Sequence, residues 1–325
     1  MRVAFCGKGG SGKSTVSSLF AKYLSSKNQP VLVVDSDINQ HLGEAFGFTK
    51  EELNKQPRLG MAQETLNEYA KGSNPLILDT AHIIETTPAG EGSGLIHFQG
   101  NNPVFETYQM ERNGIRFMSV GGHTDKDIGT TCFHKFTGAF GVLLNHLIDG
   151  PGEYLIGDMC AGADPFASCS LATRFDAIFL VVEPTLKSTG VYEQCRKYGD
   201  PFGVKIFVIG NKVEDEDDEA FIRERVGDAL IGCIGNSKFI RIIEKGKQQD
   251  ISEFEPEHLA LLQKIKEITD GMTRDWQSYR EVGLHFHKQA AESWGDDLLK
   301  TDLMAQIDHN FRHEDIITIG NRKAA

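Results

Sequence analysis

The sequence predicts an α/β fold in which a doubly wound, mainly parallel sheet is followed by a C-terminal helical extension. Short, almost continuously apolar runs alternate with segments of helical length, which is typical of parallel strands covered by helices on both faces. A glycine-rich loop joins the first apolar run to the first helical segment, and the pattern changes after residue 270. We therefore predict an α/β domain at residues 1–270 and a helical extension at residues 271–325.

The apolar runs of the first domain are predicted as strands, and the residues between them as helices or loops. Residues 13–27 have helical periodicity through Val16, Leu19 and Leu24. Residues 51–114 contain four prolines and a glycine-rich stretch, so we expect inserted helices and loops there. The predicted strands are residues 2–6, 31–35, 115–120, 154–158, 177–183 and 204–210.

Two further charged or amphipathic segments are interpreted as surface helices. The acidic residues 214–219 are typical of a solvated helix start, which the helix dipole favours. In the extension, apolar residues recur every four positions and predict an amphipathic helix whose mixed polar face favours packing or dimerisation over membrane binding. His309 and His313 lie four residues apart, a spacing that metal ligands sometimes have but that is more typical of surface residues. The apolar series is Leu299, Leu303, Ile307 and Phe311.

Composition limits the classes of partner. The 325 residues include 46 acidic and 34 basic side chains, for a formal net charge of -12. Nucleic acid is therefore not expected as a partner, because phosphate binding requires a basic face. No apolar run approaches the roughly 18 residues of a membrane span, and the N-terminus runs directly into the glycine-rich loop without room for a signal peptide. We expect a cytoplasmic protein without membrane contact, whose six scattered cysteines serve as thiols or metal ligands.

The glycine-rich loop predicts a phosphate-binding site. Residues 7–14 fit the P-loop pattern G-x-x-x-x-G-K-[ST] between a predicted strand and a predicted helix. Backbone N–H groups of the loop and the positive end of the helix dipole would surround the phosphates. Lys13 is expected to reach the β- and γ-phosphates, Ser14 to ligate Mg²⁺ and Thr15 to bond the α-phosphate. The remaining loop residues of the predicted site are Gly9, Gly10, Ser11 and Gly12.

Lys8 extends the motif to K-G-G-x-G-K-[ST]. This pattern resembles the deviant Walker A motif of the family that includes partition, septum-placement and arsenite-pump ATPases and the nitrogenase iron protein. The resemblance implies ATP hydrolysis by a homodimer that closes around nucleotide. It also implies that Lys8 crosses the dimer interface and stabilises charge on the transferring phosphoryl group, as an arginine finger does.

Two segments are similar to the switches of this family. Residues 33–37 resemble switch I, in which Asp37 would position the attacking water and Asp35 would lie beside the Mg²⁺ site. Residues 155–162 resemble switch II, in which Asp158 would hold Mg²⁺ and the Gly162 N–H would sense the γ-phosphate. The resemblance also places the base near two later strand ends, at Glu183, Pro184, Asn211 and Lys212.

Within the family, the chain is most similar to accessory ATPases that mature carbon monoxide dehydrogenase and are linked to nickel insertion. Residues 35–42, 158–162, 181–188 and 121–147 carry this resemblance, which covers about residues 1–270. It implies a client metalloenzyme as a partner, such as a protein resembling carbon monoxide dehydrogenase. The extension has no recognised counterpart.

The sequence departs from that group at its metal site. The group shares one metal between two subunits through C-x-C, whereas this chain has Cys132-x-His134. Two thiolates and two imidazoles at a dimer seam would suit Ni²⁺ or Zn²⁺. An equally open interpretation is that Cys132 is a buried small hydrophobe and that His134 is a surface residue at a helix start.

Two other functions remain open. Cys132 and Cys160 superficially resemble the cysteine pair of the nitrogenase iron protein, which would make the chain an ATP-driven iron–sulfur electron donor. The position seven residues after Asp158, where that protein has its second cysteine, is however Pro165. Cys160 could extend a metal site, sense redox state or be a tolerated small residue. The third possibility is a partition-like positioning ATPase without a metal.

Overall fold

Residues 1–123, 132–168 and 170–317 are described by a computed structural model. The chain divides into two compact units. The sheet unit consists of Met1–Gln56, Met110–Ser119 and Gly152–Met272. The helical unit consists of Pro57–Gln109, Val120–Pro151 and the chain from Thr273 onward. Each unit combines separate parts of the chain that contact one another in space. The domain boundary predicted after residue 270 stays a prediction.

An eight-stranded sheet forms the centre of the sheet unit, with the order β10-β9-β8-β1-β7-β2-β5-β4. All neighbours are parallel except β4 and β5, and β3 pairs with β6 as a separate ribbon in the helical unit. The predicted doubly wound, mainly parallel sheet is confirmed. The strands are β1 (Arg2–Gly7), β2 (Val31–Asp35), β3 (Ile96–His97), β4 (Met110–Arg112), β5 (Ile115–Ser119), β6 (Leu147–Ile148), β7 (Tyr154–Asp158), β8 (Ala177–Val182), β9 (Ile206–Val213) and β10 (Leu230–Gly235).

Helices connect these strands. The α-helices are α1 (Lys13–Ser26), α2 (Leu42–Ala45), α3 (Lys50–Lys55), α4 (Glu64–Lys71), α5 (Pro103–Tyr108), α6 (His134–His146), α7 (Asp164–Ala167), α8 (Leu186–Gly199), α9 (Glu216–Val226), α10 (Lys238–Ile243), α11 (Pro256–Asp270), α12 (Trp276–Ala290) and α13 (Asp296–Leu299). Short 3₁₀ turns lie at Thr80–His82, Ser170–Arg174, Asp200–Phe202, Gly227–Ala229, Ile251–Glu253 and Leu303–Gln306, with a π turn at Ala291–Gly295. The acidic start of α9 is as predicted, and Asp215 caps it by accepting from the Asp218 N–H at 3.0 Å.

The register of the central strands brings their carboxyl ends to one edge of the sheet. Asp35 of β2 lies beside Asp158 of β7, and Gly7 of β1 lies beside Val181 of β8. Behind this edge, α1 buries Leu19 and its neighbouring apolar residues completely against the sheet. Each such side chain contributes about 1.5–3 kcal/mol of hydrophobic stabilisation. The result is a rigid platform for the loops that follow β1, β2 and β7.

In the helical unit, the extension is built into the packing around α6. Arg274 donates two hydrogen bonds of 2.8 Å to the Asp149 carboxylate, and both side chains are buried. The Tyr279 hydroxyl donates to the Leu144 carbonyl at 2.9 Å, and His313 Nε2 lies 3.3 Å from the Asn145 carbonyl. Carbonyls in the last turn of a helix have no partner within the helix, so these contacts satisfy the end of α6.

The amphipathic helix predicted through Leu299, Leu303, Ile307 and Phe311 is wrong. Lys300 adopts a left-handed conformation, with φ of 55°, and ends α13. The chain then turns, because Asp296 accepts from the Leu303 N–H and Asp302 accepts from the Met304 N–H, each at 2.9 Å. The four apolar residues therefore lie in separate turns, in which Leu303 and Ile307 are buried and Leu299 and Phe311 are half-buried.

His309 and His313 also do not lie on one helix face. His313 is buried and stacks on Trp276, with ring centroids 5.0 Å apart, whereas His309 lies in a turn. Across the described part of the chain, no helix has the length and apolar character needed to cross a membrane.

Candidate functional site

The loop between β1 and α1 has the backbone needed to surround phosphate groups. Gly10 and Gly12 have φ of 85° and 91°, a left-handed conformation that favours glycine. A Cβ on Gly12 would also lie 2.1 Å from the Asn211 amide nitrogen. The Ser11 hydroxyl oxygen is buried and has no hydrogen-bond partner among the described residues. Because buried hydroxyls normally have partners, this loop fits a ligand that carries oxygen atoms.

A polar cavity of about 570 Å³ opens beside this loop. Lys13 of α1 forms a buried ion pair with Asp37, which follows β2. Burial lowers the pKa of Lys13, but the attraction of Asp158 and Asp37 outweighs it, so the net pKa is raised and the ammonium stays charged. The loop, Lys13 and Asp37 thus border one cavity. The lining residues are Gly10, Gly12, Lys13, Ser14, Thr15, Asp37, Asn39, His41, Asn211, Lys212, Glu214, Gly235, Asn236, Ser237, Ile240, Arg241 and Glu244.

Ser14 and Asp158 form the predicted pair for a divalent cation. The Ser14 hydroxyl donates to the Asp158 carboxylate at 2.6 Å. Asp158 is buried, and burial raises its pKa to about 6 although Lys13 opposes the shift. Hydroxyl and carboxylate oxygens are the ligands of hard cations such as Mg²⁺. A cation at this pair would relieve the cost of a buried carboxylate, so the donor set fits Mg²⁺.

Asp35 holds the backbone of the loop after β2, which the sequence predicts to be switch I. One carboxylate oxygen accepts from the Asp37 N–H and the other accepts from the Leu42 N–H, each at 3.1 Å. Burial and the nearby Asp158 raise the pKa of Asp35 to about 8. The carboxylate therefore braces the loop that carries Asp37, and its predicted part in the Mg²⁺ site stays a prediction.

Switch II is tied to the phosphate loop. The Gly162 N–H donates to the Gly7 carbonyl at 2.9 Å, and Gly162 has φ of 80°. This N–H is the group predicted to sense the γ-phosphate. In the observed conformation it bonds to the loop instead, so sensing would require it to exchange this carbonyl for a phosphate oxygen. This hydrogen bond links the segment after β7 directly to the phosphate loop.

The residues predicted near the base brace the phosphate loop from the far side. The Asn211 amide donates to the Ser11 carbonyl at 2.7 Å, and Lys212 donates to the Gly10 carbonyl at 2.7 Å. Lys212 also pairs with Glu183 at 2.5 Å, while Pro184 lies in the loop that follows β8.

Sequence reasoning missed the far wall of the cavity. Residues from Gly235 to Glu244, at the end of β10 and in α10, line it. The Thr15 hydroxyl, predicted to bond the α-phosphate, lies 3.3 Å from the Glu244 carboxylate. Ser237 caps the N-terminus of α10, and a serine before a helical segment is the sequence signal that could have indicated this wall. The preceding strand β10 is absent from the predicted strands, because two glycines in six residues weaken the pattern of a strand.

Lys8 is half-buried at the start of the loop. Among the described residues, no hydrogen-bond or ion-pair partner of its ammonium group is found. The side chain differs in this from Lys13 and Lys212, which both have partners within the same site. The ammonium group is therefore available to a ligand or to another chain.

Cys132 and His134 meet at the start of α6 in the helical unit. The Cys132 sulfur lies 2.9 Å from His134 Nδ1, and Cys132 is exposed. The interpretation of Cys132 as a buried hydrophobe is thus wrong. No group of three or more metal-ligating side chains is present within the described residues. Cys160 is buried and its thiol donates to Asp164 at 3.2 Å, while Cys169 lies outside the described residues.

Similarities to known proteins agree with this geometry. A sequence-family profile described as the CobQ/CobB/MinD/ParA nucleotide binding domain matches residues 3–312. The chain is 25% identical over 282 residues to an uncharacterized ATP-binding protein of Methanocaldococcus jannaschii, covering 84% of this chain and 100% of that protein. It is 27% identical over 256 residues to the carbon monoxide dehydrogenase accessory protein CooC of Rhodospirillum rubrum, covering 78% and 89%. Its fold resembles a chain of the MinC:MinD cell division protein complex of Aquifex aeolicus, with a TM-score of 0.52, 15% identity and coverage of 84% and 97%.

Proposed function

The chain belongs to the CobQ/CobB/MinD/ParA nucleotide-binding domain family and is an ATPase, and we propose that it uses Mg²⁺-dependent hydrolysis in a nucleotide-gated homodimer to serve metallocentre maturation of a client enzyme. The nickel-insertion type is favoured by the similarity to the accessory protein CooC. The observation that carries the maturation role is the contact of 2.9 Å between Cys132 and His134 at the start of α6. The sequence resemblance matches these two residues to the C-x-C motif of the related group.

The roles of the nucleotide-site residues follow from their contacts. Lys13 would leave Asp37 to bind the β- and γ-phosphates, and Asp37 would then be free to orient the attacking water. Ser14 and Asp158 would hold Mg²⁺, which neutralises phosphate charge when bound. Gly162 would report the γ-phosphate by releasing the Gly7 carbonyl.

Dimer closure is supported by the edge of the sheet where β1, β2 and β8 end. Lys8 offers an ammonium group without a partner among the described residues. Ile38, in the loop after β2, and Leu186, at the start of α8, are 49% and 69% exposed. Exposed apolar side chains around a charged site are typical of a surface that another molecule covers. A second copy would bury them and bring its Lys8 to the phosphates.

The metal cargo would also need two copies. One chain supplies a thiol and an imidazole, whereas Zn²⁺ and Ni²⁺ sites of this type use four ligands. Two Cys132–His134 pairs meeting at the seam would complete such a set. Both groups bind metal in their deprotonated forms, so the affinity would fall at acid pH.

The metal content per dimer tests this proposal. The protein is purified without oxygen, with and without MgADP, alongside Cys132→Ala and His134→Ala. We expect about one Ni²⁺ or Zn²⁺ per dimer, lost in both variants and retained in the control Cys233→Ala. Iron with sulfide would instead favour the electron-donor function. Absence of metal in every nucleotide state would contradict the maturation role and favour a positioning ATPase.

A further inference from the structure

A second cavity lies in the sheet unit, at the opposite end of α1 from the phosphate loop. Its volume is about 520 Å³, within the range of about 300–1,000 Å³ that is usual for small-molecule sites. Lys22 lines it and lies nine residues after Lys13, or about 13 Å further along the helix axis. The cavity is therefore separate from the nucleotide site, with which it shares no lining residue.

The wall opposite α1 is a rigid hairpin. Asn113 and Gly114 join β4 to β5 with φ of 52° and 72°, as in the tight turns that fix a two-residue hairpin. The Ser25 hydroxyl pins this turn by donating to the Asn113 carbonyl at 2.6 Å. Arg112 is held by the Gly47 carbonyl and by Glu52, the latter at 2.7 Å. The charge of Arg112 is thus already compensated within the wall.

Two side chains that line this cavity each have a polar atom without a partner among the described residues. These atoms are the Lys22 ammonium nitrogen and the Gln249 side-chain oxygen, and both are buried. Burial lowers the pKa of Lys22, and no carboxylate opposes that shift. The Gln249 amide nitrogen donates to Glu253 at 3.2 Å, so the oxygen is the group left to accept. Buried polar atoms without partners are rare and costly.

We propose that this cavity binds a small monocarboxylate that carries a hydroxyl or ammonium group beside the carboxylate. The carboxylate would accept from Lys22, and the neighbouring donor would bind the Gln249 oxygen. Asp250 also lines the cavity, and its carboxylate accepts from the Ser252 N–H at 2.8 Å and from the Ser252 hydroxyl at 2.7 Å. With Lys22 as the one cation of the described lining left to bind and a carboxylate in that lining, a monoanion is favoured over a phosphate ester, which carries more charge and would need further donors. Phe46 and Ile115 supply apolar surface for the carbon skeleton. The proposal does not depend on the function proposed for the nucleotide site.

Thermal denaturation with glycolate as the probe tests the site. Saturating MgADP is present throughout to keep anions out of the phosphate loop, and ionic strength is held constant. Glycolate at tenfold its Kd is expected to raise the Tm of the unmodified protein by about 2 °C. The rise is expected to vanish in Lys22→Met, which keeps the length of the side chain and removes the charge. Lys27→Met, an exposed lysine at the end of the same helix, is the matched control and should respond like the unmodified protein.

Acetate tests the second contact, because it lacks the hydroxyl group. The unmodified protein should respond more strongly to glycolate than to acetate, and Gln249→Leu should respond to the two equally. An equal response in Lys22→Met and in the unmodified protein would overturn the proposal. So would the absence of any shift with glycolate or glycine at about 50 mM, where a site with a Kd of about 5 mM is roughly nine-tenths filled.

Discussion

The polar groups buried beside the phosphate loop of the sheet unit differ from those buried around His287 in the helical unit. In the sheet unit, Asp35 and Asp158 lie side by side at adjacent strand ends with raised pKa values, and Ser11 is buried without a partner among the described residues. In the helical unit, His287 is buried between Thr86 and the Leu303 carbonyl, each 3.0 Å from a ring nitrogen. The buried groups of the first site lower the stability of the free protein until a cation and a phosphate bind. At the second site, both ring nitrogens of His287 already have partners.

The difference separates residues that bind from residues that hold the fold. Charges that destabilise one another in the free protein are stabilised by the ligand, which increases the free energy available from binding. Contacts that are already satisfied gain nothing from a ligand. We therefore expect substitutions in the sheet-unit site to change nucleotide chemistry, and substitutions of the satisfied contacts in the helical unit, away from Cys132 and His134, to change stability.

The largest expected effect lies in the phosphate loop. Lys13→Ala is expected to reduce ATP turnover by at least about 10²–10³-fold, because it removes a charge aimed at the phosphates. Lys8→Ala should reduce turnover to a similar extent but leave nucleotide affinity within about twofold, because Lys8 would act on the partner's nucleotide. Turnover and fluorescent-nucleotide titration measure the two quantities. The exposed Lys50→Ala is the control, and unchanged turnover in Lys8→Ala would contradict the role across the dimer.

The next largest effect is expected on stability, from the buried ion pair of Arg274 and Asp149 in the helical unit. Arg274→Met is expected to lower the free energy of unfolding by about 3–5 kcal/mol, because it leaves the buried Asp149 carboxylate without its bidentate partner. Turnover per folded molecule should be retained. Urea denaturation followed by circular dichroism measures the loss, and Arg274→Met with Asp149→Asn should recover part of it. A loss below about 1 kcal/mol would mean that the ion pair is not needed to hold the extension.

The pH dependence of stability should have opposite signs for the two kinds of group. Burial lowers the pKa of His146 to about 4 and also lowers that of His287. An unfolded histidine binds a proton near pH 6.5, so stability falls as the pH decreases from about 6.5 towards 4, by at most about 3 kcal/mol for His146. The raised pKa values of Asp35 and Asp158 act in the other direction. They make the folded state hold protons that the unfolded state releases, so stability falls as the pH rises from about 4 to 8.

Denaturation of single variants over this pH range separates the two contributions. His287→Gln should flatten the acidic limb of the curve, and Asp158→Asn should flatten the limb above pH 4. Mg²⁺ with ADP should stabilise the unmodified protein more at pH 8 than at pH 6, because the cation competes with the proton on Asp158. A Mg²⁺ effect that is independent of pH would place the cation away from this carboxylate.

The same contrast explains what could be predicted from the sequence. In the sheet unit, the motif residues and the strands that carry them are local in sequence, so the predicted fold and family are confirmed. The structure brings Lys13 to Asp37 and Ser14 to Asp158. The site residues' chemical roles stay predictions. The wall from Gly235 to Glu244 was missed because a short strand with two glycines gives a weak signal.

In the helical unit, the contacts that decide the structure are distant in sequence. Thr86 pairs with His287 across 201 positions, and Gln306 with Thr87 across 219. The hydrophobic periodicity of a sequence gives no information about pairs this far apart. The amphipathic helix was predicted because Leu299 and Leu303 have helical spacing, yet the left-handed Lys300 between them ends the helix.

Substitution of Lys300 in that turn should have the smallest effect on the free energy of unfolding. It also tests most sharply whether local sequence preference or tertiary contacts determine the structure of the extension. A lysine in the left-handed region costs about 1 kcal/mol, a cost that glycine avoids. Lys300→Gly should therefore raise the free energy of unfolding by about 0.5–1 kcal/mol, whereas Lys300→Ala should give no gain. Urea denaturation of both variants makes the comparison. If Lys300→Ala stabilised the protein instead, a helix continuing through Leu303 would be the preferred local structure, and the contacts of Asp296 and Asp302 would not be enough to impose the turn.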